Sequence, residues 1–436
     1  MSEWQKVTIG DVCTITKGAI GIKKAVAGKY PMVTLAEKRT THNEFQFDCD
    51  AVIVPLVSST GHGHASMKRV HYQEGKFALG SILCAVVPND FNFLNPKYLH
   101  IYLSYLKEKL LVPLMRGAAN VSLSISKIKT VEIIVPPIEK QIEVIELEKK
   151  VRSQRQKLDE YNNDQNNYLT NLRQQIFQDA ISGKLTADWR VENPDTEPTS
   201  KLLEQIKAEK EELIAEKKIK KEKPLPKIAE DEVSFKLPKA WEWVRLNELG
   251  NFFTGNSINA MTKKLKYSKV KEGFSYIGTK DVHFNGLGIS YDSDVIIPFH
   301  EEKFKVAKKN SVLMCIEGGS SGKKYAITEK DICFGNKLLA SEFFELLNPF
   351  CLYYFYQSTH FKKQFELKSK GLRGGVSISK FKEIIIPLPP LAEQKAIVAK
   401  IEKLMEQVTK LEDKNKQNKQ DAEMLMQGFL VEAFKN

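Results

Sequence analysis

The chain has 436 residues, 66 Lys and Arg against 54 Asp and Glu for a formal net charge of +12, and 42% hydrophobic residues. That length exceeds one ordinary core and suits two domains with connectors, while the positive excess favours a polyanionic partner. No run of about 18 uncharged apolar residues occurs, the start Met1-Ser2-Glu3-Trp4 carries no basic-then-apolar leader, and the six cysteines include no C-x-x-C pair. A membrane span, a signal peptide, a zinc ribbon and a secreted disulfide framework are therefore not expected, and the expected compartment is the cytoplasm.

In chain order, the β-branched runs Ala51–Val54 and Ser81–Val87 read as strands between turn residues, and Phe45 and Phe47 alternate like strand residues facing a core. Asn95 and Pro96 then supply the N-cap and first position of a helix bearing Tyr98, Leu99, Tyr102, Leu103 and Leu106 at helical spacing. From Pro136 to about Ser182 the period becomes heptad. A double proline, which needs no amide donor in a first helical turn, introduces it. Val144, Leu147, Val151, Gln154, Leu158, Tyr161, Gln165, Tyr168 and Leu172 form the predicted seam, with Gln154 and Gln165 as buried amides fixing register. Some 45 helical residues make a rod of roughly 65–70 Å, too long for an ordinary core helix and suited to pairing with a second rod.

Gly183–Arg190 closes the first rod and Pro194 and Pro198 break the chain. A charged helix is expected from about Thr199 to Lys223, with Lys217–Lys223 as its solvated face, ending at Pro224-Leu225-Pro226.

The text then repeats. Pro136-Pro137, Asn95-Pro96 and Ser124-Ile125-Ser126-Lys127 return 253 residues later as Pro389-Pro390, Asn348-Pro349 and Ser377-Ile378-Ser379-Lys380. The second rod carries Ile397, Ile401, Leu404, Val408, Leu411, Leu425 and Phe429. Glu3-Trp4 matches Glu242-Trp243 at an offset of 239, so the second globular unit is expected to be about 14 residues longer. The expected fold is α+β: two mixed α/β domains (1–135 and 241–386) joined by two long antiparallel coiled-coil helices (136–183 and 387–436), with a connector (184–240) and an internal pseudo-two-fold repeat.

Catalytic motifs are weak. Asn95-Pro96-Lys97-Tyr98 resembles the Asn-Pro-Pro-Tyr of adenine methyltransferases only superficially, and helix capping explains it. Gly318–Lys324 follows an apolar run as a phosphate loop would, but the Walker pattern needs Gly at Glu317 and Ser or Thr at Lys324.

As candidate DNA contacts, the loop offers Ser320, Ser321, Lys323 and Lys324, and the first half offers Ser58, Ser59, Thr60, His62 and His64. The two histidines lack a neighbouring carboxylate or cysteine, so no metal site is expected. Arg116 and Asn120 in the first half and Arg373 in the second precede the repeated Ser-Ile-Ser-Lys, where Arg among small residues can pair with guanine or a phosphate. Lys38, Arg39 and Thr40, with Thr279 and Lys280, are candidates in the early loops. Each of these segments also fits a plain surface turn.

Three segments together, Ile385–Gln394, Gly183–Arg190 and the re-entry Leu237–Leu246, resemble the specificity subunit of Type I restriction–modification enzymes, and the resemblance covers essentially the whole chain. The first copy departs from the family's head motif, with Glu139-Lys140-Gln141 for the Glu-Gln pair and Ile134 where the second copy has Pro387. The resemblance implies a noncatalytic subunit whose two target recognition domains each read half of a bipartite double-stranded DNA site. Its helices would set the spacing and hold two methylation subunits, through which restriction subunits join. It implies no cofactor in this chain, with S-adenosylmethionine and ATP on the partners, and no membrane. The alternatives are a specificity subunit of another multisubunit methyltransferase and a noncatalytic coiled-coil protein scaffold.

Overall fold

The computed structural model describes residues 4–60, 63–118, 120–369 and 374–434. The chain divides into two compact units, residues 1–164 with 415–436, and residues 165–414.

Among the described residues the first unit holds ten strands: β1 (Gln5–Thr8), β2 (Cys13–Lys17), β3 (Tyr30–Val33), β4 (Thr40–His42), β5 (Phe47–Asp48), β6 (Ala51–Pro55), β7 (His71–Gln73), β8 (Lys76–Leu79), β9 (Leu83–Pro88) and β10 (Glu132–Val135). They form sheets in the orders β2-β9-β6-β7, β4-β3-β8-β5 and β1-β10. Side chains alternate along each strand, so β6 and β9 serve two cores at once. Val52, Val54, Cys84 and Val86 face a cluster with Tyr98, Leu99, Leu103 and Ile128, whereas Ala51, Ile53, Leu83 and Ala85 meet Val33, Phe77 and Leu79 of the neighbouring sheet. Covered on both faces, β6 reads as an unbroken apolar run. The helices are α1 (Ile9–Val12), α2 (Pro96–Leu110), α3 (Ile125–Lys129) and the first part of α4 (Ile138–Ile181). The Asn95 side chain accepts from the Lys97 amide, which bears out the cap, and Ser124 does the same for Lys127 at the start of α3. Phe47 stacks on Phe77, but Phe45 is 43% exposed and does not belong to the core.

The second unit repeats this plan. After α5 (Ala187–Glu192) and α6 (Thr199–Ala215) come β11 (Glu242–Arg245), β12 (Gly250–Thr254), α7 (Ala260–Thr262), β13 (Phe274–Ile277), β14 (Ile296–Ile297), β15 (Val306–Ala307), β16 (Val312–Cys315), β17 (Tyr325–Ile327), β18 (Ile332–Phe334) and β19 (Leu338–Phe343). They are followed by α8 (Pro349–Tyr356), α9 (Thr359–Lys368), α10 (Ile378–Lys382), β20 (Ile385–Leu388) and α11 (Leu391–Glu432). The sheet orders β12-β19-β16-β17, β14-β13-β18-β15 and β11-β20 match those of the first unit strand for strand, parallel pair included.

Strand register corrects the expected alignment of the two starts. Thr8 pairs with Glu132 and Arg245 with Ile385. Arg245 stands 237 positions after Thr8, so Trp4 corresponds to Trp241, not Trp243, and the second unit is longer by 16 residues rather than 14. The extra length sits in loops: residues 255–273 replace 18–29, and residues 278–295 replace 34–39.

The expected helix through Lys223 ends earlier. Lys217 adopts a left-handed conformation (φ 61°), and the amides of Lys218 and Ile219 fold back on the Leu213 carbonyl, so α6 stops at Ala215. A run of lysines repels itself within a helix and is better solvated as turn and extended chain.

The seam also differs from the expected line. On α4 the buried positions include Val144, Ile145, Glu148, Asn162, Leu169, Ile176 and Phe177, and Leu147, Val151, Leu158 and Gln165 are half-buried. Gln154, Tyr161, Tyr168 and Leu172 are exposed. On α11, Ile397, Ile401 and Val408 are buried and Leu404 half-buried, but Leu411, Leu425 and Phe429 are exposed. On α4 part of the buried line (Ile145, Glu148, Asn162 and Leu169) lies one residue on from the expected one, while Val144 and, on α11, Ile397, Ile401 and Val408 are buried as expected, and ion pairs run along the seam. In the first unit Arg155 pairs with Glu423 (3.9 Å) and Asp159 with Lys419 (2.8 Å), an antiparallel register. In the second unit Arg173 grips Glu412 with two nitrogens at 3.1 and 2.7 Å.

The family-like segments meet in one lock within the second unit. Glu393, 1% exposed, accepts from Thr186 Oγ1 (2.6 Å), from Trp241 Nε1 (2.7 Å) and from Arg190, whose other arm binds the Gly183 carbonyl. Gly183 is left-handed (φ 75°) with Pro238 where a Cβ would stand, so the helix end, the re-entry strand and the second rod are pinned together. A second lock occurs in both units. Gln141 Oε1 accepts from the Asn95 amide at 2.8 Å, and Gln394 Oε1 from the Asn348 amide at 2.9 Å, both amide side chains fully buried.

Candidate nucleic-acid interface

In the first unit the chain leaves β6 at Leu56, and residues 121–123 run beside residues 56–58. The Ser58 amide donates to the Val121 carbonyl (2.9 Å), and Leu123 to Leu56 (2.9 Å). Two candidate segments distant in sequence thus form one surface. Gly63, at φ 80°, fixes their approach, since a Cβ there would stand 2.6 Å from the Ala118 carbonyl. The hydroxyls are partly engaged in shaping the loop. Ser58 donates to the His64 carbonyl (2.6 Å), Thr60 meets Ser66 (2.9 Å), and Ser59 accepts from the Lys68 amide (2.8 Å). Arg116 turns onto the Pro113 and Met115 carbonyls. Ser59, Thr60, His64, Arg116 and Asn120 are exposed, whereas His62 lies outside the described residues.

Arg39 does not fit a groove contact. Its guanidinium binds Gln73 Oε1 (2.9 Å), the Tyr72 carbonyl (3.0 Å), the Glu37 carbonyl (3.2 Å) and His71 Nδ1 (3.2 Å), bracing the β3–β4 loop against β7. Its flanking residues Lys38 and Thr40 are exposed.

The second unit builds the equivalent surface with different residues. The Gly318 amide donates to the Gly374 carbonyl (3.1 Å), and Val376 to Ile316 (3.0 Å), which sets the turn after β16 against the segment before α10. Arg373 lies outside the described residues. Gly322 (φ 70°) donates to Cys315 and the chain enters β17, so no helix follows the turn and a Walker-type phosphate site is not built.

The early loop joins the same surface, because Lys324 Nζ donates to the Thr279 carbonyl (2.8 Å). Lys280 and Lys323 are exposed, Ser320 is half-buried, and Ser321 Oγ is buried without a partner. Lys263 Nζ lies 4.4 Å over the Tyr276 ring, and burial together with the charge of Lys280 holds its ammonium below the ordinary lysine range against the opposing pull of Asp281. Lys263 and Lys280 on the two lengthened loops, with Lys323 and Lys324 on the turn after β16, therefore gather positive charge on the loops of this unit.

Reasoning from the sequence missed Lys263 and the hairpin 282–289. Its Asn285-Gly286 turn was a readable signal, with φ of 55° and 77°. Among the described residues no three His, Cys, Asp or Glu side chains come together to hold a metal, and no helix is long and apolar enough to cross a membrane.

The model of the Type I restriction modification DNA specificity domain matches residues 1–169 and 238–419. The chain belongs to that family. It is 29% identical over 252 residues to the Type I restriction enzyme EcoAI specificity subunit of Escherichia coli, a match that covers 55% of this chain and 40% of that protein. Its fold is shared with the HsdS subunit from Thermoanaerobacter tengcongensis (18% identity, TM-score 0.51, 99% of this chain and 96% of that one). A chain solved in work on complex assembly and conformational transition of the type I R-M system shares it as well (18% identity, TM-score 0.59, 99% and 98%).

Proposed function

We propose that this chain is the DNA-binding specificity subunit of a Type I restriction–modification complex, each unit's loop surface reading one half of a bipartite target. The observation that carries this is duplication with divergence. Three sheets recur in identical order, while the loops at the candidate surfaces differ in length and composition, as two readers of unlike sequences require. The net charge of +12 suits a phosphate backbone. Exposed side chains on these loops would reach base edges and phosphates: Lys38, Thr60, His64, Arg116 and Asn120 in one unit, and Lys280 and Lys323, with half-buried Lys324 held on the Thr279 carbonyl, in the other.

On this reading the chain is noncatalytic and acts in the cytoplasm. Two methylation subunits dock on its helices, restriction subunits join through them, and S-adenosylmethionine and ATP bind those partners. Exposed apolar side chains on the rods, Tyr161, Tyr168, Met424, Leu425 and Phe429, support helix docking by such partners.

The test is genome-wide methylation mapping in cells carrying this chain with its methylation partner. A split motif with a fixed gap supports the proposal, and a contiguous motif or none contradicts it. Affinity of the assembled complex for its target should also fall steeply with salt.

A further inference from the structure

The longest loop difference between the units is the hairpin that replaces residues 34–39 with 278–295. Val282 bridges Ile289, the His283 amide donates to the Gly288 carbonyl, and the Asn285-Gly286 turn closes the tip. The tip is anchored. Tyr353 Oη donates to the Gly286 carbonyl at 2.9 Å, a Cβ at Gly286 would stand 2.5 Å from that same oxygen, and the Asn285 amide binds the Lys323 carbonyl.

From this fixed tip Leu287 projects, 77% exposed. Phe284, 49% exposed, lies under the Lys324 ammonium at 4.8 Å. The tip is tied to Lys323 through its carbonyl and covered on one side by Lys324, so an exposed leucine and a half-exposed phenylalanine stand on a fixed point beside lysines. A protein-docking patch would present a broader apolar face. A rigid apolar point beside lysines has the make-up of a wedge held against a polyanion, where the cations grip phosphates and the side chain parts a base step.

We propose that Leu287 is a wedge that unstacks one base step in the DNA half-site bound by the second unit, adding shape readout to that half alone. The inference rests on the DNA-recognition reading above. The first unit's short 34–39 link holds no such hairpin, so the wedge is assigned to the second half-site.

The test uses the full chain assembled with its methylation partner and duplexes of the mapped target, with 2-aminopurine placed in turn at each position of both half-sites. The wild-type complex should show a several-fold fluorescence rise at one position of the second half-site that is not the methylated adenine. Leu287→Ala should abolish that rise and weaken binding roughly tenfold, with an unchanged thermal midpoint and an unchanged profile in the first half-site. A specific complex whose profile is the same in Leu287→Ala, or whose rise is confined to the methylated adenine, overturns the wedge while leaving the recognition reading intact. Loss of assembly with the methylation partner in Leu287→Ala, with the DNA profile of the remaining complex unchanged, also overturns it in favour of protein docking. Absence of any sequence-specific complex with the wild type sinks both.

Discussion

The indole Nε1 of Trp241 donates to Glu393 Oε2 at 2.7 Å, joining the strand that re-enters the second domain to the first turn of the second rod. Arg190 and Thr186 bind the other carboxylate oxygen, so the charge is paired and both oxygens accept hydrogen bonds. Glu393→Ala strands the Arg190 guanidinium and should cost about 3–5 kcal/mol, whereas Glu393→Gln, which keeps the shape and one acceptor, should cost less. Chemical denaturation of the full chain measures both. Equal midpoints for wild type and Glu393→Ala would show that the lock contributes nothing.

The paired glutamines predict matched losses. Gln141 Nε2 also donates to the carbonyls of Phe93 and Pro136, both at 2.8 Å, and Gln394 Nε2 to that of Pro389 at 3.0 Å. Alanine at either site leaves buried backbone groups unpaired, at about 1–3 kcal/mol per group. Hydrogen exchange should speed at the Asn95 amide in Gln141→Ala and at the Asn348 amide in Gln394→Ala, each in its own half only. Unchanged exchange at these amides would refute the role.

In the helix seam, Asn162 rather than Gln154 is the buried amide, and its Nδ2 donates only to the Leu158 carbonyl of its own helix. Asn162→Leu should raise stability by about 1 kcal/mol at the expense of register specificity, while Gln154→Leu, on the exposed face, should be near neutral. A drop in melting temperature for Asn162→Leu would contradict this assignment.

His71 gives a pH signature. Burial, followed by the charges of Arg39, Arg69 and His100, pushes its imidazole down to about 4 from the ordinary 6.5. Between those values the unfolded chain takes up a proton that the folded chain refuses. The contribution is therefore full above pH 6.5 and falls, by at most about 1.4 kcal/mol per pH unit, as pH drops toward 4. Replacing His71 with Gln should flatten the stability profile across that window, and a profile as steep as wild type would count against the assignment.

The repeat, both Asn caps, the paired Ser-Ile-Ser-Lys helix starts and the two rods were legible because each depends on local chemistry that recurs at a fixed offset. The seam was misplaced because its buried line includes the polar Asn162 and is flanked by the ion pairs of Arg155, Asp159 and Arg173, which an apolar period cannot register, while Tyr161 and Tyr168 stood out as hydrophobic yet face outward. Arg39 looked available because its partners on β7 lie more than thirty residues away. The role of Glu393 escaped for the same reason, since its three side-chain partners come from segments 152 to 207 positions distant. Convergence of the loops within each unit is likewise a product of sheet order, which nothing local in the sequence encodes.

The central claim, two independent readers on one chain, is tested most directly by exchanging residues 241–386 with those of a homologue of different specificity and mapping methylation in cells. The account predicts a hybrid motif in which one half-site changes, the other is retained, and both the gap and the partner complex persist. Two unchanged half-sites, or two changed ones, would contradict it.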